Sequence, residues 1–156
     1  MSKYRRFRGF VSLNINIKLL SNTAKIPTAG SDGAAGRDLY ADIPRVIKIR
    51  PGAVKLIPTG IAMEIPNGYF GAIYPRSGLA VKNGLRLANC TAIIDEDYRG
   101  EIFVALINDS DEIQKIERGM RIAQIVIQKY EFPEFMEEGE LTNTVRGVNG
   151  LGSTGR

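Results

Sequence analysis

The chain has 156 residues, of which 24% are charged and 44% hydrophobic, with a formal net charge of +4, one cysteine and no histidine. That length fits one domain with a substantial core, and no apolar run approaches the roughly eighteen residues that a membrane-spanning helix needs. With Cys90 alone and no histidine, an intrachain disulfide framework, histidine-containing zinc sites, histidine-based triads and histidine general bases are excluded, so the base of any enzyme here is a carboxylate or a lysine.

The chain begins with a basic arm, residues 1–9. Lys3, Arg5, Arg6 and Arg8 account for the whole positive excess. This "KYRRFR" could touch nucleic acid or another acidic surface; a solvated terminus is the simpler reading. The following "GFVSLNINIKLL" alternates polar and apolar residues and contains Lys18. That pattern is a poor signal-peptide core, so a cytoplasmic chain is expected (nuclear if the source is eukaryotic or viral), not a secreted one.

In "VSLNINIKL" the period-2 alternation predicts a strand with Val11, Leu13, Ile15, Ile17 and Leu19 on one face. Further strand-like runs follow in order: "RVIKIR", "VKLIPTGIAMEI", "YFGAIYP", "EIFVALIN", "DEIQKIE" and "RIAQIVIQKYEF". Turn signals such as "RPG", "IPNG" and "ERGM" separate them. One short helix is expected in "SGLAVKNG". The acidic stretch from Glu131 to Glu140 reads as a solvated connector. Many short strands with Gly/Pro punctuation predict an all-β sandwich or barrel, a β domain over 10–140 followed by a flexible arm over 141–156.

Four segments hold more polar residues and glycines than a β framework requires: "GAAGRDLYA" (33–41), "YPRSGLAVKNG" (74–84), "NCTAIIDEDYRGE" (89–101) and "RGVNGLGSTGR" (146–156). In "IIDEDYRG", three carboxylates follow two isoleucines, as at a hairpin tip. The alternatives are a charged, exposed turn and a half-buried Asp95 acting as general base toward water. In "PRSG", Arg76 could fork onto phosphate oxygens and Ser77 donate to another; common turn chemistry is the plainer reading. "GLGSTG" matches G-x-G-x-x-G, but the chain stops where the dinucleotide motif requires a helix, and Ser153 stands where a P-loop requires lysine. What remains is a candidate anion nest of free N–H groups with Arg146.

Taken together and in order, "AAGRDLYA", "PRSGLA", "NCTAIIDEDYRG", "GMRIAQ" and "RGVNGLGSTG" resemble the five motifs of the trimeric deoxyuridine triphosphatases (dUTPases). The resemblance covers roughly residues 24 to 155. It implies a β jelly roll, a homotrimer with active sites shared between subunits, and Mg2+-assisted hydrolysis of dUTP to dUMP and pyrophosphate. That reaction would limit uracil in DNA and supply dUMP for dTMP synthesis.

The resemblance also implies roles. Asp95 matches the aspartate that activates the attacking water, and Asp38 the aspartate that holds the hydrated metal through water. Arg76, Ser77 and Gly78 match the phosphate-contacting "RSG", and Gln124 the glutamine of "RIAQ". Tyr98 matches the tyrosine under the deoxyribose. Asn89, Ala92, Ile93 and Ile94, with Phe103 beyond, fall at the uracil hairpin. Arg146 with Leu151, Gly152 and Ser153 matches the arm that covers the triphosphate.

Four positions depart from the family's usual pattern. Arg37 replaces a tyrosine or large apolar residue, Ala92 a glycine, Met120 an acidic residue, and Leu151 the phenylalanine over uracil, where aromatic stacking on the order of 1 kcal/mol is lost. The related dCTP deaminases share the fold but carry a catalytic glutamate where this chain has Ala105. A regulatory nucleotide-binding protein is the rival from another class; the intact Asp38, Asp95 and Arg146 set argues against it.

Overall fold

A computed structural model of the chain describes residues 13–150. It contains twelve strands and one helix among the described residues. The strands are β1 (Asn16–Leu19), β2 (Thr28–Ala29), β3 (Arg37–Tyr40), β4 (Ile47–Ile49), β5 (Val54–Pro58), β6 (Ile61–Glu64), β7 (Tyr69–Tyr74), β8 (Leu85–Leu87), β9 (Ala92–Ile94), β10 (Phe103–Asn108), β11 (Gln114–Ile116) and β12 (Arg121–Lys129); α1 is Ser77–Asn83. The fold is all-β, as the density of short strands and turn residues predicts, and it is the β jelly roll that the resemblance implies.

The largest sheet has the order β2-β3-β12-β7-β9, and a second has the order β5-β10-β8; β1 pairs with β6 and β11 with β4. Every register in these ladders is antiparallel. The branched residues that favour strands also make the core: Leu39, Ile57, Ile73, Leu87, Leu106 and Ile122 are all at most 1% exposed. Each such side chain contributes about 1.5–3 kcal/mol by leaving water. In β10, Val104, Leu106 and Asn108 point inward and Phe103, Ala105 and Ile107 outward, the period of a half-buried strand. Inward-facing Asn108 is satisfied: its Nδ2 donates to Ile49 O at 2.9 Å and Glu112 O at 2.7 Å, so its burial carries no unpaired group.

Two details position the functional elements. The register of β12 on β3 shifts between Arg121 and Ala123, a bulge that buries Ile122 and Ala123 in succession and brings Gln124 opposite Asp38. Helix α1 starts from Arg76, whose backbone is extended (φ −89°, ψ 128°), and ends on Gly84 at φ 64°, with the Gly84 N–H donating to Leu79 O. Gly84 is needed there, because a left-handed C-terminal residue strains any other side chain.

The sequence expectation for the first strand is met only in its middle. Ile15 and Ile17 pack against the core, whereas Leu13 and Leu19 are 38% and 45% exposed. β1 pairs with β6 alone in a two-stranded sheet, so its ends have no second layer to cover them. Val11 lies outside the described residues. From Glu131 to Gly150 every residue is exposed, including Phe132, Phe135, Met136 and Leu141.

Candidate active site

The sequence-selected residues fall into two groups on opposite halves of the large sheet. The first is built where β3, β12 and the turn after β7 meet. Asp38, on β3, is only 8% exposed. Its Oδ1 accepts from Arg76 Nε at 2.8 Å and its Oδ2 from Arg121 Nη1 at 3.2 Å. A carboxylate buried this far is stabilised by such charge-assisted partners. Arg76 Nη1 also reaches Arg121 O at 3.5 Å. Gln124 Nε2 donates to Pro75 O at 3.0 Å, which ties β12 to the entry of α1. Gly36 makes room for it, since a Cβ there would overlap the Gln124 amide. Ser77 and Gly78 are exposed on the first turn of α1.

Sequence reading assigned no role to Arg121. The structure places it beside Asp38 as a second, half-exposed guanidinium. The signal was present in "GMRIAQ", but the bulge that brings its side chain to the Asp38 side has no sequence marker. Asp38, Arg76, Arg121 and Gln124 together make a compact group rich in N–H donors, suited to polyphosphate oxygens.

The second group lies at β9 and the loop after it. Ala92, Ile93 and Ile94 pair with Ile73, Ala72 and Gly71 on one side, and the strand order leaves β9 at the sheet edge. An edge strand presents backbone donors and acceptors to a ligand. Ile93, Ile94, Asp95, Tyr98, Glu101 and Phe103 line a cavity of about 220 Å3. The Tyr98 hydroxyl donates to Glu101 O at 2.9 Å. Asn89 is exposed in the turn before β9, and its carbonyl accepts from the Thr91 N–H at 2.6 Å. On the other side of the loop a larger cavity, about 520 Å3, is lined by Phe70, Asp95, Glu96, Asp97, Tyr130 and Phe132 among others. Tyr130 is half-buried. Partial burial first, then its hydrogen bond to Glu96 and the charges of Glu96, Asp95 and Asp97, raise its pKa above the ordinary phenol value, so it stays a proton donor at neutral pH.

Two expectations about this loop need correction. Asp95 is exposed in the single chain, not half-buried, because the edge strand that carries it has no neighbour on its free side. The segments flanking the loop do not form a hairpin with each other: β9 pairs with β7, whereas β10 pairs with β5 and β8. The loop crosses from one sheet to the other.

Within one chain the two groups are far apart. Asp38 lies level with Gln124 and Tyr74, and Asp95 falls three strands away and four residues down the β7 register. At about 4.8 Å per strand and about 3.3 Å per residue the separation is about 20 Å.

Arg146 is also described. Its Nε donates to Asn149 O at 3.1 Å inside its own turn, and it is exposed. Leu151, Gly152 and Ser153 lie outside the described residues, as does the basic stretch 3–8. The departures find local accommodation. Arg37 Nη1 donates to Ala34 O at 2.5 Å and braces the loop before Asp38. The side chains of Ala92 and Met120 pack against the core. Among the described residues no three His, Cys, Asp or Glu side chains gather as a metal cage, and no helix is long and apolar enough to cross a membrane.

The dUTPase family model matches residues 22–155. The deoxyuridine 5'-triphosphate nucleotidohydrolase of Rickettsia felis is 49% identical over 142 residues, 90% of this chain and 96% of that one. The Rickettsia typhi protein of the same name is 47% identical over 144 residues, 92% and 97% of the two chains. Among solved structures, a mutant dUTPase of Staphylococcus bacteriophage 80alpha with dUpNHpp superposes with a TM-score of 0.83 at 28% identity, covering 93% of this chain and all of that one. A mutant dUTPase from phage phi11, whose structure details the coordination of a structural Mg(II) ion, gives 0.72 at 26% identity over 82% of this chain and 98% of that one. Motif order, fold and these similarities agree: the chain belongs to the dUTPase family.

Proposed function

We propose that this chain hydrolyses dUTP to dUMP and pyrophosphate in active sites that neighbouring copies complete. The observation that carries the second half of this reading is the separation of about 20 Å between Asp38 and Asp95, from strand spacing and register. A nucleoside triphosphate that meets Asp95 at its α-phosphorus cannot also meet Arg76, Arg121 and Gln124 of the same chain. A second copy has to bring them.

Two surfaces favour such an assembly. On the outer face of the β5–β10 ladder, Leu56 faces Ala105, Val54 faces Ile107, and Phe103 faces Pro58. Val54, Leu56 and Phe103 are 51%, 60% and 39% exposed. An apolar sheet face of this kind marks a protein contact, here with the other two subunits of a homotrimer. The second is the segment from Glu131 to Gly150, in which Phe132 meets the Tyr130 ring while Phe135 and Met136 stay 94% and 77% exposed.

In this reading the uracil lies against the free edge of β9, read by the backbone of Ala92–Ile94, with Asn89 and Phe103 at its margins. Reading by fixed backbone groups rejects an exocyclic amine through mismatched hydrogen bonds and a 5-methyl group through shape. The deoxyribose rests on Tyr98, which leaves no room for a 2′-hydroxyl. Asp95 takes the proton of a water as its oxygen bonds to the α-phosphorus, and the α–β bridging oxygen departs with pyrophosphate. Arg76, Ser77, Gly78, Arg121 and Gln124 of a neighbour hold phosphate oxygens, and Arg146 with Leu151, Gly152 and Ser153 closes from the tail. Phosphoryl transfer depends on such positioning and charge neutralisation.

Mg2+ fits this donor set in one way. Both Asp38 oxygens already accept guanidinium protons, so Asp38 suits water molecules of a hydrated ion held mainly by the phosphates. Bound there, Mg2+ would neutralise charge on the triphosphate. A cytoplasmic location belongs to the same reading.

The test is direct. With Mg2+ and each of dUTP, dCTP, dTTP and UTP, pyrophosphate and ammonia are followed. Pyrophosphate from dUTP, little from the others and no ammonia is the expected result. Ammonia from dCTP, or no turnover of dUTP, would overturn the assignment; Ala105, where related deaminases carry glutamate, argues against ammonia.

A further inference from the structure

The crossing loop that carries Asp95 and Tyr98 runs along β6 and is gripped at both ends of that strand. Just past the C-terminal end of β6, Glu96 Oε2 accepts from the Gly68 N–H at 2.5 Å. Beside it, the Tyr130 N–H donates to Gly68 O at 3.2 Å. Just before the N-terminal end of β6, Glu101 Oε1 accepts from the Gly60 N–H at 2.9 Å. Beside it, the Ile102 N–H donates to Ile61 O at 2.9 Å. Between the two grips, Arg99 approaches Glu64 at 4.0 Å, an exposed pair that contributes little. Both amides are offered by turn glycines with left-handed backbone, Gly60 at φ 66° and Gly68 at φ 78°, a geometry that glycine alone adopts without strain.

The two grips hold different things. Glu96 is the residue after Asp95, and its own carbonyl accepts from Arg99 Nη1, so its carboxylate fixes the backbone that aims Asp95. Glu101 fixes Tyr98: its carbonyl accepts the Tyr98 hydroxyl at 2.9 Å. Gly100 lies under the same ring, since a Cβ there would overlap the Tyr98 hydroxyl.

The geometry points to Glu96 and Glu101 as two separate positioning residues, Glu96 for Asp95 and Glu101 for Tyr98, each acting through a backbone amide at one end of β6. This rests on the proposed roles of Asp95 and Tyr98, and it adds that base placement and sugar discrimination are set independently.

The experiment uses the full-length enzyme and the variants Glu96→Ala, Glu96→Gln, Glu101→Ala and Glu101→Gln. For each, kcat and KM for dUTP, the dUTP-to-UTP preference in kcat/KM, Tm, and amide exchange at Gly60 and Gly68 are measured. Misplacing a reacting group by about 1 Å costs up to about a hundredfold. Glu96→Ala is therefore expected to lower kcat roughly tenfold or more, keep the dUTP-to-UTP preference, and speed exchange at Gly68. Glu101→Ala is expected to lower that preference by about tenfold on the same reasoning, and to speed exchange at Gly60. The glutamine variants retain an acceptor oxygen and should stay within about threefold of the parent. Equal losses in the alanine and glutamine variants, or parental kinetics despite faster exchange, would overturn the inference, as would unchanged exchange at the two glycines. Parental turnover by Asp95→Asn would remove what Glu96 is said to position, and would be distinguishable because the exchange results do not depend on catalysis.

Discussion

Asp38 and Asp95 are chemically the same residue in opposite settings. Asp38 is nearly buried, and both of its oxygens are engaged by guanidinium groups. Asp95 stands exposed at the end of an edge strand with two more carboxylates after it. Arginine-paired Asp38 has its oxygens occupied, and the base role we propose falls to the exposed Asp95. Asp95→Asn keeps the shape and removes the proton acceptor. It should bind dUTP yet lower kcat by at least about a hundredfold, given typical general-base contributions; steady-state kinetics with a separate binding measurement checks this. Most of these residues were legible in the sequence because each sits in a short motif whose residue types suit phosphate or proton chemistry. Arg121 was visible but had no role, because its place beside Asp38 depends on the β12 bulge. Glu96 read as a charged turn residue and Glu101 as the start of a strand-like run, because the amides they hold, at Gly68 and Gly60, lie 28 and 41 residues earlier in the chain.

At the scale of elements, β1, β4, β5, β6, β7, β10, β11 and β12 fall within runs that alternation and turn residues marked, and the helix over Ser77–Asn83 follows from its short apolar period and Gly84, whereas β2, β3, β8 and β9 lie in segments too short or too polar to read as strands. Partnership did not follow. "IIDEDYRG" has the look of a hairpin tip, yet β9 and β10 belong to different sheets. Local turn chemistry is the same in both cases, and only long-range pairing separates them. The tail is the other case. Its glycines suggest a solvated end, and residues 131–150 do lie exposed. In the assembly we propose, its role rests on what it covers. Ending the chain at Val145 removes Arg146 and the glycine-rich end but no buried side chain of the described body. Hydrolysis should collapse to a few per cent or less, while Tm shifts by only about a degree, since exposed ends contribute little to the fold; turnover and thermal melts read the two effects separately. Retained hydrolysis would remove the tail from the active site.

For the whole molecule, neither the exposed apolar face of β5–β10 nor the unplaced tail is accounted for by one chain. The homotrimer we propose would account for both, along with the distance between Asp38 and Asp95. The sequence holds this information only indirectly. Alternation in β10 shows that Phe103, Ala105 and Ile107 share a face, but not that the face is apolar across two strands until β5 is placed beside it. The most direct test of the account is to mix subunits. Asp95→Asn and Arg76→Ala should each be inactive alone. Co-refolded in equal amounts as mixed trimers, they should recover about one quarter of parental activity, because about one site in four then pairs an intact Asp95 from one copy with an intact Arg76 from another. If Asp95 and Arg76 instead served one site within a single chain, no mixed trimer would contain a complete site, and activity no greater than that of the two variants measured apart would contradict the account.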